Sequence, residues 1–306
     1  MTFEGLRAGA RSRTCASGRA GPASAAACRA GRRSGKSRHR ARHQPAHDAD
    51  PVTAGWWRAL CRDFPDLRAG LQAAADAGPA RPLAQVRLRA PALGPSKVIA
   101  CASNYPDHVA EMHAVQQRTL GRVEDWMMNF DVFLKAPSAI SGPADDIVLP
   151  REVLDAGQEI HHESELVVVI GTGGKDIPED QAAGHILGFT AGLDVTVRGA
   201  ADRSRRKSYD TFAPLGPWIT TADEAGDPAS LEIDLVRNDD DHRQHSCVRD
   251  MITPVPAIVC YVSRIMTLLP GDLIFTGAPP GVGPIRPGDV LDTRISRIGS
   301  MRIGVR

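Results

Sequence analysis

The chain has 306 residues, enough for one large domain or two modest ones. Its formal net charge of +1 conceals a split: residues 1–47 hold eleven Lys or Arg against the single acid Glu4, leaving 26 basic and 35 acidic residues, a net charge of −9, for positions 48–306. A body of that sign is no nucleic-acid binder by charge, and no apolar run reaches the length of a membrane span or a signal-peptide core.

Residues 1–50 are rich in Arg, Ala, Ser and Gly and carry no apolar periodicity. Such a segment buries too little surface to offset its ordering entropy, so it is expected to be disordered or poorly packed. The same composition suits an organellar transit peptide, a chance translation of GC-rich DNA, or a basic nucleic-acid arm, the last disfavoured because only Phe3 adds an aromatic ring. Six cysteines, with no CxxC pair, read as free thiols of a reducing compartment. The expectation is a protein of the cytoplasm, with organellar targeting by the basic segment left open.

Residues 51–93 are expected to form a small N-terminal unit and 94–306 the main domain. Trp56 to Ala77 predicts a helix interrupted near Pro65, Leu83 to Leu88 a strand, and Pro91 to Pro95 a hinge. Lys97–Cys101 predicts a short buried strand, with a helix starting at Asp107. On that helix His108 and Glu111 are spaced i, i+3 and are neighbours. A histidine beside a carboxylate suits a general base, and an ordinary surface ion pair fits the same spacing. Residues 113–130, mostly polar around Gly121, suit a mobile connection over a site. Phe133–Lys135 and Ile147–Pro150 predict two further strands.

Leu166 to Ile170 is β-branched and apolar, closed by Gly171, and predicts a buried strand. Strand geometry sends Glu163 and Glu165 the same way at its mouth. Neighbouring carboxylates repel unless a positive charge sits between them, and a hard divalent cation is the simplest such charge. A strand end with both glutamates hydrated fits the pattern too. Gly188 to Thr196 predicts another strand, carrying Asp194 as the natural third carboxylate. A helix is expected from Pro178 to Ile186, a charged loop from Arg198 to Arg206, and a strand from Leu231 to Arg237 that turns at Asn238–Asp240. Pro256 to Leu268 predicts a helix, and Val290 to Ile295 a closing strand. The glycine-rich loop from Thr276 to Gly283 offers exposed amides to an anion, or is a tight turn with nothing bound.

Asn104–Tyr105 with His108 and Glu111, Phe133–Lys135, His162–Leu166 with Val168–Gly171, Leu193–Thr196 with Arg198, Lys207–Trp218 and Pro270–Gly283 follow one another over about 180 residues. In this order they resemble the fumarylacetoacetate hydrolase family. The resemblance implies an α+β fold, mainly β, a mixed β-sandwich roll with few helices, assembled as a homodimer. It implies Mg²⁺, or Mn²⁺ or Ca²⁺ in its place, on Glu163, Glu165 and Asp194. It implies a catalytic His108–Glu111 dyad on a lid-like helix with Lys207 facing substrate, and substrate contacts at Arg198, Tyr209, Thr276 and Gly277. The expected reaction is hydrolysis of a carbon–carbon bond in a β-diketo acid of acylpyruvate type. A decarboxylase or isomerase of 2-oxo or 2-hydroxy-dienoic acids on the same site is the alternative, and a catalytically idle binding or scaffold protein the reading from another class. The expected partner is a small 2-oxo acid, with neither nucleic acid nor membrane. The chain departs from the family's usual pattern at Gly199–Ala201, where an acid and a glutamine are common, and at Ala278, where a threonine is common.

Overall fold

The computed structural model describes residues 54–306; the expectations for residues 1–50 lie outside them. The helices are α1 (Ala54–Ala77), α2 (Pro106–Leu120), α3 (Arg151–Asp155), α4 (Arg203–Arg206), α5 (Ala222–Ala225) and α6 (Val255–Ile265). The strands are β1 (Val98–Ala102), β2 (Asp131–Lys135), β3 (Ile140–Ser141), β4 (Ile160–His162), β5 (Ser164–Ile170), β6 (Ile186–Leu193) and β7 (Thr196–Val197). After them come β8 (Ala213–Thr221), β9 (Glu232–Arg237), β10 (Asp241–Cys247), β11 (Leu273–Phe275), β12 (Gly283–Pro284), β13 (Val290–Ile295) and β14 (Gly299–Gly304).

Seven strands form the main sheet in the order β2-β1-β11-β5-β6-β8-β3, parallel only at β1–β11 and β3–β8. Every residue of β5 is buried, because the sheet is covered on both faces. Alternation along the strands assigns those faces to two cores. Leu166, Val168 and Ile170 join Ile99 and Ile274 in a core completed by β9, β13, β14 and α6. Val167 and Val169 join Val98, Leu273 and Phe275 on the other face, under Trp57, Leu60, Cys61 and Phe64 of α1. A four-stranded sheet, β10-β9-β13-β14, and a three-stranded one, β12-β4-β7, complete an α+β fold in which strands dominate.

Several elements differ from expectation for identifiable reasons. Helix α1 runs unbroken through Pro65, since burial of its apolar face outweighs one lost backbone bond. Residues 83–88 form no strand: Leu83–Gln85 is one 3₁₀ turn behind Pro82, with no strand alongside to pair. Helix α2 continues to Leu120 and ends at Gly121, whose φ of 70° makes it a left-handed cap, so half of the expected mobile connection is helix. Ile147 makes a single bridge to Val305 in place of a strand. The segment expected as a helix up to Ile186 is a 3₁₀ turn, Glu179–His185. The strand expected over 188–196 breaks after Leu193, where the Asp194 N–H turns to the Glu163 carbonyl at 2.8 Å. At the β9–β10 turn Asn238 and Asp239 take positive φ values of 54° and 70°, as a tight hairpin requires. A last strand, β14, pairs back on β13 beyond the expected end of the sheet. Cys61, Cys101, Cys247 and Cys260 are free thiols. Among the described residues no helix is long and apolar enough to cross a membrane.

Candidate metal centre and active site

Three carboxylates meet where β5 begins and β6 ends. Ser164 pairs with Leu193, so the residues flanking that rung, Glu163 and Asp194, emerge side by side, and Glu165 enters one rung inward. Glu163, Glu165 and Asp194 are buried and each offers an oxygen within 4.8 Å of the others. Carboxylates buried together need compensation. Lys207 Nζ bonds Glu163 Oε2 at 2.7 Å and Asp194 Oδ2 at 2.5 Å, and Arg198 bonds Glu163 Oε1 at 2.5 Å. Lys135, fully buried at the end of β2, bonds the other oxygen of Asp194 and, at 2.9 Å, the Phe212 carbonyl. Among the described residues no cation touches Glu165; it accepts the Gly277 N–H at 2.6 Å. The two glutamates therefore diverge. Burial drives both carboxyls up; at Glu163 the charges of Lys207 and Arg198 prevail and hold it well below the ordinary range, whereas at Glu165 the neighbouring Asp194 adds to burial and holds it well above.

Opposite this floor stands α2. Pro106 at its first turn and Asp107 beside the helix N-terminus favour a start there. His108 is buried, and its Nδ1 lies 3.2 Å from Glu111 Oε2. The same carboxylate oxygen accepts the Gly281 N–H at 3.2 Å, so the glycine loop fixes the acid that fixes the histidine. Gly281 has φ +95°, and a Cβ there would lie 1.8 Å from the Arg243 carbonyl oxygen, which excludes other residues. Gly277 is similarly constrained: its Cβ would meet that of Asn104 at 2.7 Å. Asn104 in turn holds the loop by donating to the Thr276 carbonyl at 2.8 Å. A cavity of about 80 Å³ opens between floor and helix, lined among others by His108, Glu163, Arg198, Lys207 and Ala278.

Of the expected substrate contacts, Arg198 and Lys207 face this cavity. Thr276 directs its hydroxyl to the Leu166 carbonyl at 2.9 Å, and Gly277 acts through its amide on Glu165. Tyr209 packs on Phe212, ring centroids 5.2 Å apart, and is not part of the cavity wall. Sequence reasoning passed over Lys135, Asn104, Arg203 and Arg206 as working residues. The signals visible for Lys135 were its position closing a strand just before Pro137 and its place in the Phe133–Lys135 stretch that carries the family resemblance.

Residues 97–306 match the family model described as fumarylacetoacetate (FAA) hydrolase, C-terminal. The chain belongs to the fumarylacetoacetate hydrolase family. Among its relatives in the family, a maleylpyruvate hydrolase of Aquipseudomonas alcaligenes is 37% identical over 226 residues, covering 73% of this chain and 77% of that protein. The crystal structure of maleylpyruvate hydrolase from Sphingobium sp. SYK-6, in complex with manganese(II) ion and pyruvate, superposes with a TM-score of 0.70 at 41% identity, covering 81% of this chain and 84% of the other. A second family structure, 2-hydroxyhepta-2,4-diene-1,7-dioate isomerase from Mycobacterium marinum, gives a TM-score of 0.62 at 40% identity, with 75% and 81% covered.

Proposed function

We propose that this protein is a divalent-metal-dependent hydrolase that cleaves a carbon–carbon bond in a β-diketo acid of the acylpyruvate class, releasing pyruvate or a close analogue. The reading rests on one observation: a buried triad of carboxylates whose member Glu163 shares the wall of a small cavity with a carboxylate-held histidine. The donor set fits a hard cation, since Glu163, Glu165 and Asp194 supply only oxygens and no thiolate or imidazole stands among them. Mg²⁺ is the proposed resident ion, with Mn²⁺ or Ca²⁺ as substitutes; a manganese ion is present in the Sphingobium relative. When bound, such a cation supplies Lewis-acid charge that polarises the 2-oxo acid and favours negative charge on the departing fragment.

The side chains divide the remaining work. Because His108 Nδ1 faces the Glu111 carboxylate, its N–H is donated there and Nε2 is left as the acceptor. His108 Nε2 takes a proton from water, and the resulting hydroxide adds to the distal carbonyl. The bond between that carbon and the methylene then breaks. The acyl half leaves as a carboxylic acid, and the methylene carbon receives the proton to give pyruvate. Lys207 and Arg198 hold positive charge beside the oxygens that become negative.

In this reading 94–306 is the catalytic domain, residues 51–93 a small N-terminal unit, and the protein a cytoplasmic homodimer. Pyruvate release from a panel of acylpyruvates, with Mg²⁺ and with chelator, is the test; absence of turnover on every member removes the hydrolase reading. Isomerisation or decarboxylation of a related 2-oxo or 2-hydroxy-dienoic acid is the second reading, supported by the name of the Mycobacterium marinum relative. Product NMR on oxaloacetate and on 2-hydroxyhepta-2,4-diene-1,7-dioate separates the two.

A further inference from the structure

Ser164 stands between Glu163 and Glu165, and strand alternation turns its side chain away from theirs, to the side on which Leu166 and Val168 meet the four-stranded sheet. Two residues of that sheet hold it there. Thr293 Oγ1 lies 2.5 Å from Ser164 Oγ, and Gln244 Oε1 accepts the Ser164 N–H at 2.9 Å. Thr293 and Gln244 both stand opposite Leu235 of β9, so the three form one buried row across the second sheet. A register shift between His242 and Gln244, with Arg243 as the extra residue, brings Gln244 into that row. The same carboxamide gives its Nε2 to the Pro279 carbonyl, 3.0 Å away. Pro279 lies midway between Gly277 and Gly281, whose amides serve Glu165 and Glu111.

The two contacts of Gln244, a residue 2% exposed, fix which end of its amide faces which neighbour. A backbone N–H only donates and a carbonyl only accepts, so the oxygen faces Ser164 and the nitrogen faces Pro279. His162 Nδ1, 3.3 Å from that oxygen, completes its surroundings. The position therefore calls for a side chain that accepts on one side and donates on the other at this reach. Glutamate lacks the donor, methionine lacks both groups, and asparagine is a methylene too short. The middle of the loop has little to hold it by its own backbone, since Pro279 and Pro280 bring no N–H. Asn104 secures the near end, at Thr276, and the Arg243 carbonyl closes on Gly281, so β10 meets the loop at two points.

We propose that Gln244 is a positioning residue that sets the spacing between the two halves of the site: its oxygen steadies the glutamate-bearing strand through Ser164, and its nitrogen steadies the loop whose Gly281 amide orients Glu111 and, through it, His108. The consequence for turnover rests on the hydrolase reading above; the mechanical link does not. Gln244→Glu and Gln244→Met separate the two contacts. Glutamate still accepts the Ser164 N–H and has nothing to donate to Pro279, whereas methionine fills a similar volume and makes neither bond. In the Mn²⁺-loaded full chain acting on an acylpyruvate, Gln244→Glu is expected to lower kcat by about 10- to 100-fold, with KM and the calorimetric Mn²⁺ Kd within about threefold of wild type. Gln244→Met is expected to lose kcat likewise and also to weaken Mn²⁺ binding by about tenfold. A residue that only stabilises the fold would lower the melting midpoint and leave kcat per folded molecule unchanged, and that result in Gln244→Glu overturns the proposal. Equal loss of ion affinity in the two variants overturns it too.

A protein that cleaves no acylpyruvate refutes hydrolysis without touching the link, which amide hydrogen exchange then reads directly. Exchange over residues 276–283 should be at least about tenfold faster in Gln244→Glu than in wild type, while β5 keeps its protection. In Gln244→Met the start of β5 should exchange faster as well. Unchanged protection of the loop in Gln244→Glu overturns the link in that case. Should Gln244→Met not fold, Gln244→Glu carries the kinetic, calorimetric and exchange measurements alone.

Discussion

Replacing Lys135 with methionine tests how the buried charges at the triad are balanced. The side chain is fully buried, its ammonium bonds Asp194 and the Phe212 carbonyl, and it lies 5.6 Å from the Phe275 ring centroid. Methionine fills nearly the same space, so the loss is mainly electrostatic. Removing one partner of a buried ion pair costs about 3–5 kcal/mol, because the other charge stays behind in low dielectric. Glu163 and Asp194 would then be left with Lys207 and Arg198 alone, and one oxygen of Asp194 would lose its partner. The same change makes the triad a better cation site: every tenfold gain in affinity narrows the gap to wild type by about 1.4 kcal/mol once the ion is saturating. Urea denaturation in chelator should therefore show a deficit of about 3–5 kcal/mol, and the deficit should shrink by at least about 1.4 kcal/mol in saturating Mn²⁺. An unchanged deficit with and without ion, or none in chelator, would refute the idea that Lys135 serves as a counter-charge to the metal ligands.

Three further outcomes are expected. His108→Ala should lower kcat by about 10²–10⁴-fold while calorimetric Mn²⁺ affinity stays within about threefold, since the histidine lies across the cavity from the carboxylates; a matching loss of ion binding would place it among the ligands instead. Gly281→Ala should force the loop off Arg243, destabilise the fold by more than about 1 kcal/mol and reduce activity with it, because the amide that steadies Glu111 moves; a variant with wild-type melting and turnover contradicts this. His162 is buried, and burial, only partly opposed by Gln244, holds it at about 4 against an ordinary value near 6.5. The unfolded chain takes up that proton first as pH falls, so the contribution is complete above about pH 6.5 and is lost toward pH 4, amounting to about 3 kcal/mol. His162→Gln should flatten the acid limb of the stability curve by that amount, and parallel curves would rule the assignment out.

How much of this centre was readable in advance depended on the range of the interaction. Glu163 and Glu165 announce themselves because a period of two is a local property of a strand, and His108 with Glu111 because i, i+3 is a local property of a helix. Asp194 was found at the end of a neighbouring apolar run, although its approach depends on a backbone bond to Glu163 that no pattern displays. Lys135 and Arg206 were opaque for the opposite reason. Lys135 meets Asp194 although three strands separate β2 from β6 in the sheet order, and Arg206 faces the cavity because backbone carbonyls at 197 and 201 orient it. The unbroken α1 and the absent strand at 83–88 follow the same division: a proline and an alternating run speak locally, and tertiary burial and a missing neighbour overrule them.

The two halves of the chemistry are mounted on supports of unequal firmness. The acids sit at the ends of strands in a seven-stranded sheet covered on both sides, and shifting them would mean dismantling that sheet. The histidine rides on α2, whose apolar attachment is a small patch of Met112 and Val115 against Ala278, Val282 and Met128, supplemented by the Glu111–Gly281 contact and an exposed Arg118–Glu159 pair. Swinging that wall outward would break few contacts, so α2 is the side of the cavity expected to open first. Water and proton acceptor would then meet only with that wall in place, which would spare a half-loaded site from idle chemistry.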